Sequence, residues 1–508
     1  MKRVSKMFPA ALFGLVIACG FSGAAEPKKP NVIFILADDQ RYDSLGMTGD
    51  PVTETPNLDR LAKEGVFFDK AFSTSPICGP SRANIFTSQW ERKNRIGFHH
   101  VSNNMISMED FQNSFLMQLK QAGYSTAFIG KHHTKIVDRG DSALKENIDF
   151  CYFSPGHLGF DIGKDKVFSN LKNTSQIEGL YEATEAYLKP GDEYDYFYEN
   201  ADKSVKDSLK RRDPEKPFCA WINFNLPHAA SIGGMGKGES DPEIYKSLYA
   251  DKVDQFPLPD GHPVGISLRE DVFTEEDLMP YYRHRNPKAL REMKMKMARA
   301  VHGIDLFIGN LRGLLAEMGE DENTIIIFYS DNGLMIGEHG FGGKTMLYEE
   351  SVHVPMIVYS PALDESKRGQ RLDSLVVGQD IPATILDLCG LPIPKTYQGK
   401  SLLPLLEGEE VDWREDVFFE NLFTDQGYPR QEAVRGERYK YVRHHSREDD
   451  RKKYLPDGLP DDEPIYEELF DLEADPKEQK NLAGNPEYAS QLKSLRQRCD
   501  ELTTKMGE

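Results

Sequence analysis

Two apolar runs, residues 32–37 and 325–330, each pass straight into a pair of oxygen-bearing side chains, Asp38-Asp39 and Asp331-Asn332. A strand apolar on both faces needs cover on both faces, which helices on either side of a mostly parallel sheet supply. In open sheets of that kind, ligands bind outside the carboxyl ends of the strands. The two acidic pairs therefore constrain the fold and the position of a site together.

The rest of the chain reads as α/β layering. Further strands are expected at 125–129, 218–225 and 354–359, with helices at 58–64, 80–87, 111–121 and 381–388. Residues 289–318 predict a long amphipathic helix broken near Gly303. Residues 138–216 and 229–287 are weakly periodic and read as binding loops. Beyond 404–412 the texture changes to short strands at 417–420, 432–435 and 439–443 and a closing helix at 489–505. The expected organisation is a catalytic domain over 26–405 and a smaller α+β domain on an antiparallel sheet over 406–508.

Four strand ends gather chemistry. Asp38, Asp39, Asp331 and Asn332 are hard oxygen donors, suited to Ca²⁺ or Mg²⁺ rather than zinc. Between them in sequence lies Cys78-Gly79-Pro80-Ser81-Arg82. Pro80 suits the first position of a helix, which places Cys78 at or just before a helix N-terminus, where an anion is favoured. Arg82 can turn back to the same spot as an anion clamp. Lys131 and His133 follow the strand at 125–129, His228 follows that at 218–225, and Lys344 follows a Gly-rich stretch over 337–343. Together they read as ligands for a doubly charged tetrahedral anion, although a lone histidine is usually a plain surface residue.

The net charge of −20 disfavours nucleic acid and anionic membranes as partners. Among six cysteines there is no C-x-x-C pair, and Cys219 and Cys389 sit in apolar runs as buried thiols. The first residues read as an export signal: Lys2, Arg3 and Lys6, then an apolar stretch over 8–20, then a small-residue cleavage site before Glu26. A rival reading takes 16–19 as a lipobox with Cys19 acylated. No later run is long enough to be transmembrane. The protein is expected to be periplasmic or secreted, with residues 1–25 removed.

These motifs resemble those of the type I, formylglycine-dependent sulfatases of the alkaline-phosphatase superfamily. Cys78 to Arg82 resembles the family's C-x-P-S-R signature, and Gly130-Lys131-His132-His133 its Gly-Lys-x-His element. Residues 31–39, Thr55 to Asp59, Ser330 to Gly333, Gly337 to Gly340, Lys344 to Glu350 and Glu468 to Leu472 resemble further segments in the family's order. The resemblance implies that fold, and sulfate-ester hydrolysis through Cys78 oxidised to formylglycine by a modifying enzyme. It implies one Ca²⁺ held by Asp38, Asp39, Asp331 and Asn332. Arg82 and Lys131 would hold and acidify the hydrated aldehyde, and His133 would act as a base. His228 and Lys344 would bind sulfate, with His228 also protonating the leaving alcohol and His339 as an additional acid or ligand. A sulfated sugar is the implied substrate, with His99, His100 and residues 281–285 as candidate sugar contacts. Two departures bear on pocket shape: Thr87-Ser88 stands where Thr-Gly is usual, beside an unusual 90–95, and Ala229-Ala230 follows His228 where His-x-Pro is common. The rival readings are a phosphonate or phosphate monoester hydrolase on the same fold, and an inactive secreted glycan-binding protein.

Overall fold

The computed structural model describes residues 28–97, 105–136, 142–189, 191–260, 286–422, 429–445 and 463–508. The candidate export signal with Cys19, the candidate sugar contacts His99 and His100, and residues 281–285 lie outside the described residues.

Eight strands form the central sheet: β1 (Asn31–Asp38), β2 (Val66–Phe72), β3 (Ser125–Lys131), β4 (Phe150–Ser154), β5 (Phe218–Pro227), β6 (Thr324–Ser330), β9 (Met356–Tyr359) and β10 (Gln370–Val377). The intervening β7 (Met335–Ile336) and β8 (Gly342–Gly343) pair as a small ribbon. The sheet order is β10-β2-β9-β6-β1-β5-β3-β4. Only β9 runs antiparallel to its neighbours, so the sheet is mixed and mostly parallel.

Strand β1 explains the architecture. All of its residues are buried. Ile33, Ile35 and Ala37 enter one core with the helices Gln176–Leu188 and Pro287–Glu317. Val32, Phe34 and Leu36 enter the opposite core with the helices Phe115–Gln121 and Asp380–Leu388. Alternate side chains thus feed two apolar layers, as a doubly covered strand requires.

A second sheet, β11 (Val417–Asn421), β12 (Gln431–Arg435), β13 (Tyr439–His444) and β14 (Tyr466–Asp471), is antiparallel throughout. The helix Ala489–Gly507 covers it through Leu492, Cys499 and Leu502. The same core takes in Met335, Phe341, Met346 and Leu347, so this sheet is bedded against the segment that carries Lys344.

Several expectations need correction. Helix Pro287–Glu317 runs unbroken through Gly303. A Cβ there would stand 2.1 Å from Ile177 Cδ1 and 2.9 Å from the Tyr245 ring, so the glycine permits close packing rather than a break. Residues 111–121 form two helices, Met108–Asn113 and Phe115–Gln121, because Ser114 is extended and its hydroxyl donates to Phe111 O. The helix of the pentapeptide begins at Cys78 itself, two residues before Pro80. Residues 138–216 are not simply loop: they hold β4 and the helix Gln176–Leu188.

Candidate active site

The order β6-β1-β5-β3 brings the four chemistry-bearing strand ends side by side. At the end of β1, Asp39 takes a positive φ of 67°. The turn after β6 is tied to it: Asp331 N donates to Ala37 O, Gln40 N to Ser330 Oγ, and Asp39 N to Asp331 Oδ1. At the end of β3, Gly130 has φ 100°, and a Cβ there would lie 2.0 Å from Asn223 O of β5. Only glycine permits that approach, and it sets Lys131 into the interior with no exposed surface.

Cys78 opens its helix between these ends. Its Sγ is 3.3 Å from Asp38 Oδ1 and 2.7 Å from Lys344 Nζ. Arg82, one turn on, points its guanidinium at the same place. Nε donates to Asp331 at 2.8 Å and Nη2 to Asp38 at 3.2 Å, while the remaining N–H groups reach Asn223 Oδ1, Lys131 O and Phe224 O. Lys131 pairs with Asp38, and Lys344 with Asp39. His228 Nε2 lies 3.7 Å from Asp39 Oδ2. Potential ligand atoms of Asp38, Asp39, Cys78 and His228 all lie within 4.8 Å of one another.

The electrostatics are those of buried charges with matched partners. Burial would raise Asp38, but the charges of Lys131, Lys344 and Arg82 hold it well below the usual carboxylate range. Burial, then the charges of Asp38 and Asp331, push Asp39 up to about 7 despite Lys344. Asp331 is raised by burial and by Asp38. Burial and Asp38 push the Cys78 thiol up to about 12, so an unmodified thiol here is a poor nucleophile. His133 and His228 are held neutral, His133 by burial and Lys131, His228 by burial and Lys344.

The oxygen donors fit a hard cation. Asp38, Asp39, Asp331 and Asn332 are each at most 1% exposed. Asn332 Nδ2 donates to Asp39 Oδ1 at 2.6 Å and to Gly333 O at 2.8 Å, which leaves Oδ1 buried with no donor among the described residues. A buried amide oxygen without a donor, beside three carboxylates, is what a cation's ligand sphere supplies and a hydrogen-bonded core avoids.

Ten of the eleven candidate residues, Cys78, Arg82, Lys131, His133, His228, Lys344 and the four oxygen donors, cluster at the strand ends. His339 is placed elsewhere. Its ring stacks on Tyr348 at 3.8 Å, and its Nε2 is 3.7 Å from Glu350 in a cluster with Glu478. Sequence reading missed His157, which contacts His228, His133 and Lys131. It also missed Asn223, which accepts from Arg82. The available signal for His157 was its place just beyond β4, a fifth strand end hidden in a stretch read as loop.

The chain matches the Sulfatase family model over residues 30–391 and the model for the N-sulphoglucosamine sulphohydrolase C-terminal region over 337–505. It is 30% identical to an arylsulfatase of Clostridium perfringens, over 92% of this chain and 93% of that one. It is 27% identical to an N-acetylglucosamine-6-O-sulfatase of Bacteroides thetaiotaomicron, over 97% of this chain and 90% of that one. Its fold is similar to a phosphonate monoester hydrolase of Agrobacterium radiobacter, with a TM-score of 0.70 and 21% identity over 94% of this chain and 96% of that one.

Proposed function

The chain belongs to the sulfatase family, and on that premise we propose that it removes sulfate from sulfated carbohydrate, with Cys78 converted to formylglycine and Ca²⁺ bound beside it. As a sulfatase it is a sulfuric ester hydrolase of alkaline-phosphatase-like fold. The observation that carries the mechanism is the setting of Cys78: a buried helix-opening residue between Asp38 and Lys344, beside an oxygen-ligand set with an orphaned amide oxygen.

In this reading Cys78, once converted to a hydrated aldehyde, would supply the oxygen nucleophile for the sulfate ester, and Asp38, Asp39, Asp331 and Asn332 would hold a cation whose positive charge would lie against the sulfuryl oxygens. The chain's own residues do the rest. Arg82 and Lys131 fix the nucleophile and favour its ionisation. Lys344 neutralises a sulfate oxygen. His133, neutral through burial and Lys131, is competent to take a proton. His228 Nδ1 accepts from Ala230 N at 3.0 Å, so the neutral ring carries its hydrogen on Nε2 and can donate a hydrogen bond to the departing oxygen; protonation of the leaving alcohol would come from the ring's imidazolium form. His339 receives no part in sulfate binding, because it stands with Glu350 and Glu478.

We assign residues 26–405 to the catalytic unit and 406–508 to a smaller unit backing the Lys344 segment, and residues 1–25 to export, by ordinary cleavage or through Cys19. No helix among the described residues is long and apolar enough to cross a membrane.

Peptide mass spectrometry across Cys78, coupled to sulfate release, tests the proposal. Expected are a loss of ~18 Da at Cys78 and turnover of sulfated hexosamines in preference to phenylphosphonate monoesters. Full conversion with turnover of the phosphonate alone would favour the rival hydrolase. Full conversion with no turnover of either would favour a binding protein.

A further inference from the structure

His339, set apart from the strand ends, stands in a second group of metal-binding side chains. A ring nitrogen of His339 and one carboxylate oxygen each of Glu350 and Glu478 lie within 4.8 Å of one another, and all three residues are buried. His339 Nε2 is 3.7 Å from Glu350 Oε2, too far for a hydrogen bond. Glu350 is 8% exposed, and its Oε2 is buried with no hydrogen-bond partner among the described residues. That oxygen faces the ring without a donor, a costly arrangement unless something between them supplies positive charge.

Glu478 is held in place from behind. Its Oε2 accepts from Glu349 N at 2.7 Å, and its Oε1 is 2.8 Å from Lys440 Nζ. An ionised carboxylate has about four lone-pair positions, so these two contacts orient it and leave capacity for a further ligand bond. Lys440 is shared, since its Nζ is also 3.0 Å from Glu349 Oε1. Arg435 Nε lies 3.7 Å from the same Glu349 oxygen. Glu468, which also acts on His339, is occupied by His444 and the Tyr348 hydroxyl. Glu349, Glu350 and Glu478 therefore face only Lys440 and Arg435 as permanent cations in pairing distance, and negative charge is in excess where Glu350 meets the ring. A cavity of about 310 Å³ opens beside Glu349 and Glu350, and it gives water and ions a way in.

We propose that His339, Glu350 and Glu478 form a second metal site, which takes a divalent ion of zinc type with water as its fourth ligand. An imidazole nitrogen among carboxylates suits Zn²⁺, whereas the all-oxygen set of Asp38, Asp39, Asp331 and Asn332 suits a hard cation. Four-coordinate zinc holds its ligand atoms about 3.3 Å apart, so the three donors close by about 1.5 Å at most on binding. His339 and Glu350 flank Lys344 in sequence, and Glu478 follows β14 of the second sheet. The ion pins both sides of the Lys344 segment to the second sheet's unit, a structural role apart from the reaction at Cys78.

The test is metal uptake by the full chain, stripped with chelator, refilled with Ca²⁺ and titrated with Zn²⁺ by calorimetry, with bound metals counted by plasma mass spectrometry after desalting. Expected is that wild type holds one Zn²⁺ per chain more than Glu350→Gln or His339→Ala, while all three keep the same Ca²⁺. Zn²⁺ at a hundredfold excess over Kd should also raise the thermal midpoint of wild type by about 2–4 °C more than that of either variant. Glu350→Gln keeps the shape of the side chain, so it reads the site even where His339→Ala fails to fold. Zinc held at Cys78 or His228 is common to all three proteins and cancels. Equal Zn²⁺ uptake by wild type and Glu350→Gln, or no uptake by Ca²⁺-loaded wild type, would overturn the proposal. Catalytically silent protein serves as well, so failure of the sulfatase reading and failure of this site are separate outcomes.

Discussion

Arg82 spends all five of its N–H groups inside the site, on Asp331, Asp38, Asn223, Lys131 O and Phe224 O. A lysine offers three donors from one point and cannot span that fork. Arg82→Lys should therefore lower kcat by about 10²-fold or more and destabilise the fold by about 3 kcal/mol, read from kinetics and urea unfolding. A folded variant with near-normal kcat would remove Arg82 from the proposed machinery. Ser88 shows a departure absorbed at the same scale. It caps the pentapeptide helix at φ 54°, the left-handed conformation that a glycine takes without cost. In the neighbouring segment Trp90 Nε1 donates to Phe418 O, and Arg92 pairs with Glu420 and Glu432, so these two side chains dock the second sheet.

Each strand of the central sheet delivers its end residues only if its register holds. Gly130 is the tightest point, with β3 and β5 backbones too close for any Cβ. Gly130→Ala should cost about 3 kcal/mol and misplace Lys131, seen as a lower urea midpoint and a loss of activity larger than the stability loss explains. Unchanged unfolding and activity would mean that the strands part without penalty. The five strands legible in sequence are runs of apolar residues buried on both faces, as in β1 and β6. The missed ones lacked that mark. Strand β2 is interrupted by Asp69-Lys70, and β10 is half exposed along Gln370–Val377. Strand β4 is a short apolar run in a polar stretch.

Across the whole molecule, one buried lysine ties the second sheet to the helix that follows the Lys344 segment. Lys440 of β13 has no exposed side chain and lies 3.0 Å from Glu349 and 2.8 Å from Glu478. Burial would raise Glu349, but Lys440 and then Arg435 hold it down at about 2. Burial pushes Glu478 up to about 7, so Glu349 carries the charge that pairs with Lys440. Lys440→Met should destabilise by about 3–5 kcal/mol near neutral pH, because it leaves a buried carboxylate uncompensated. The sign with pH follows from Glu349. Its depressed value contributes stability above its ordinary 4.5, and that contribution is lost as pH falls towards 2. The gap between wild type and variant in urea midpoint should therefore narrow below about pH 4.5. A gap independent of pH would deny Glu349 this role.

The sequence by itself determined the chemistry, because a hard-cation site, an anion clamp and a nucleophile precursor each demand particular side chains at short spacing. Asp38-Asp39, Asp331-Asn332 and Cys78 to Arg82 carry that demand locally. It also determined the central strands, since residues buried on both faces must be apolar throughout. Only the tertiary structure decided which strand ends meet. Sheet order is a matter of pairing between segments far apart in the chain, and no local pattern encodes that β6, β1, β5 and β3 are neighbours. The same non-local packing sets His157 against His228, seats the Lys344 segment on the second sheet, and draws His339 away to Glu350. Those positions depend on what packs beneath each residue, which its neighbours in sequence do not record.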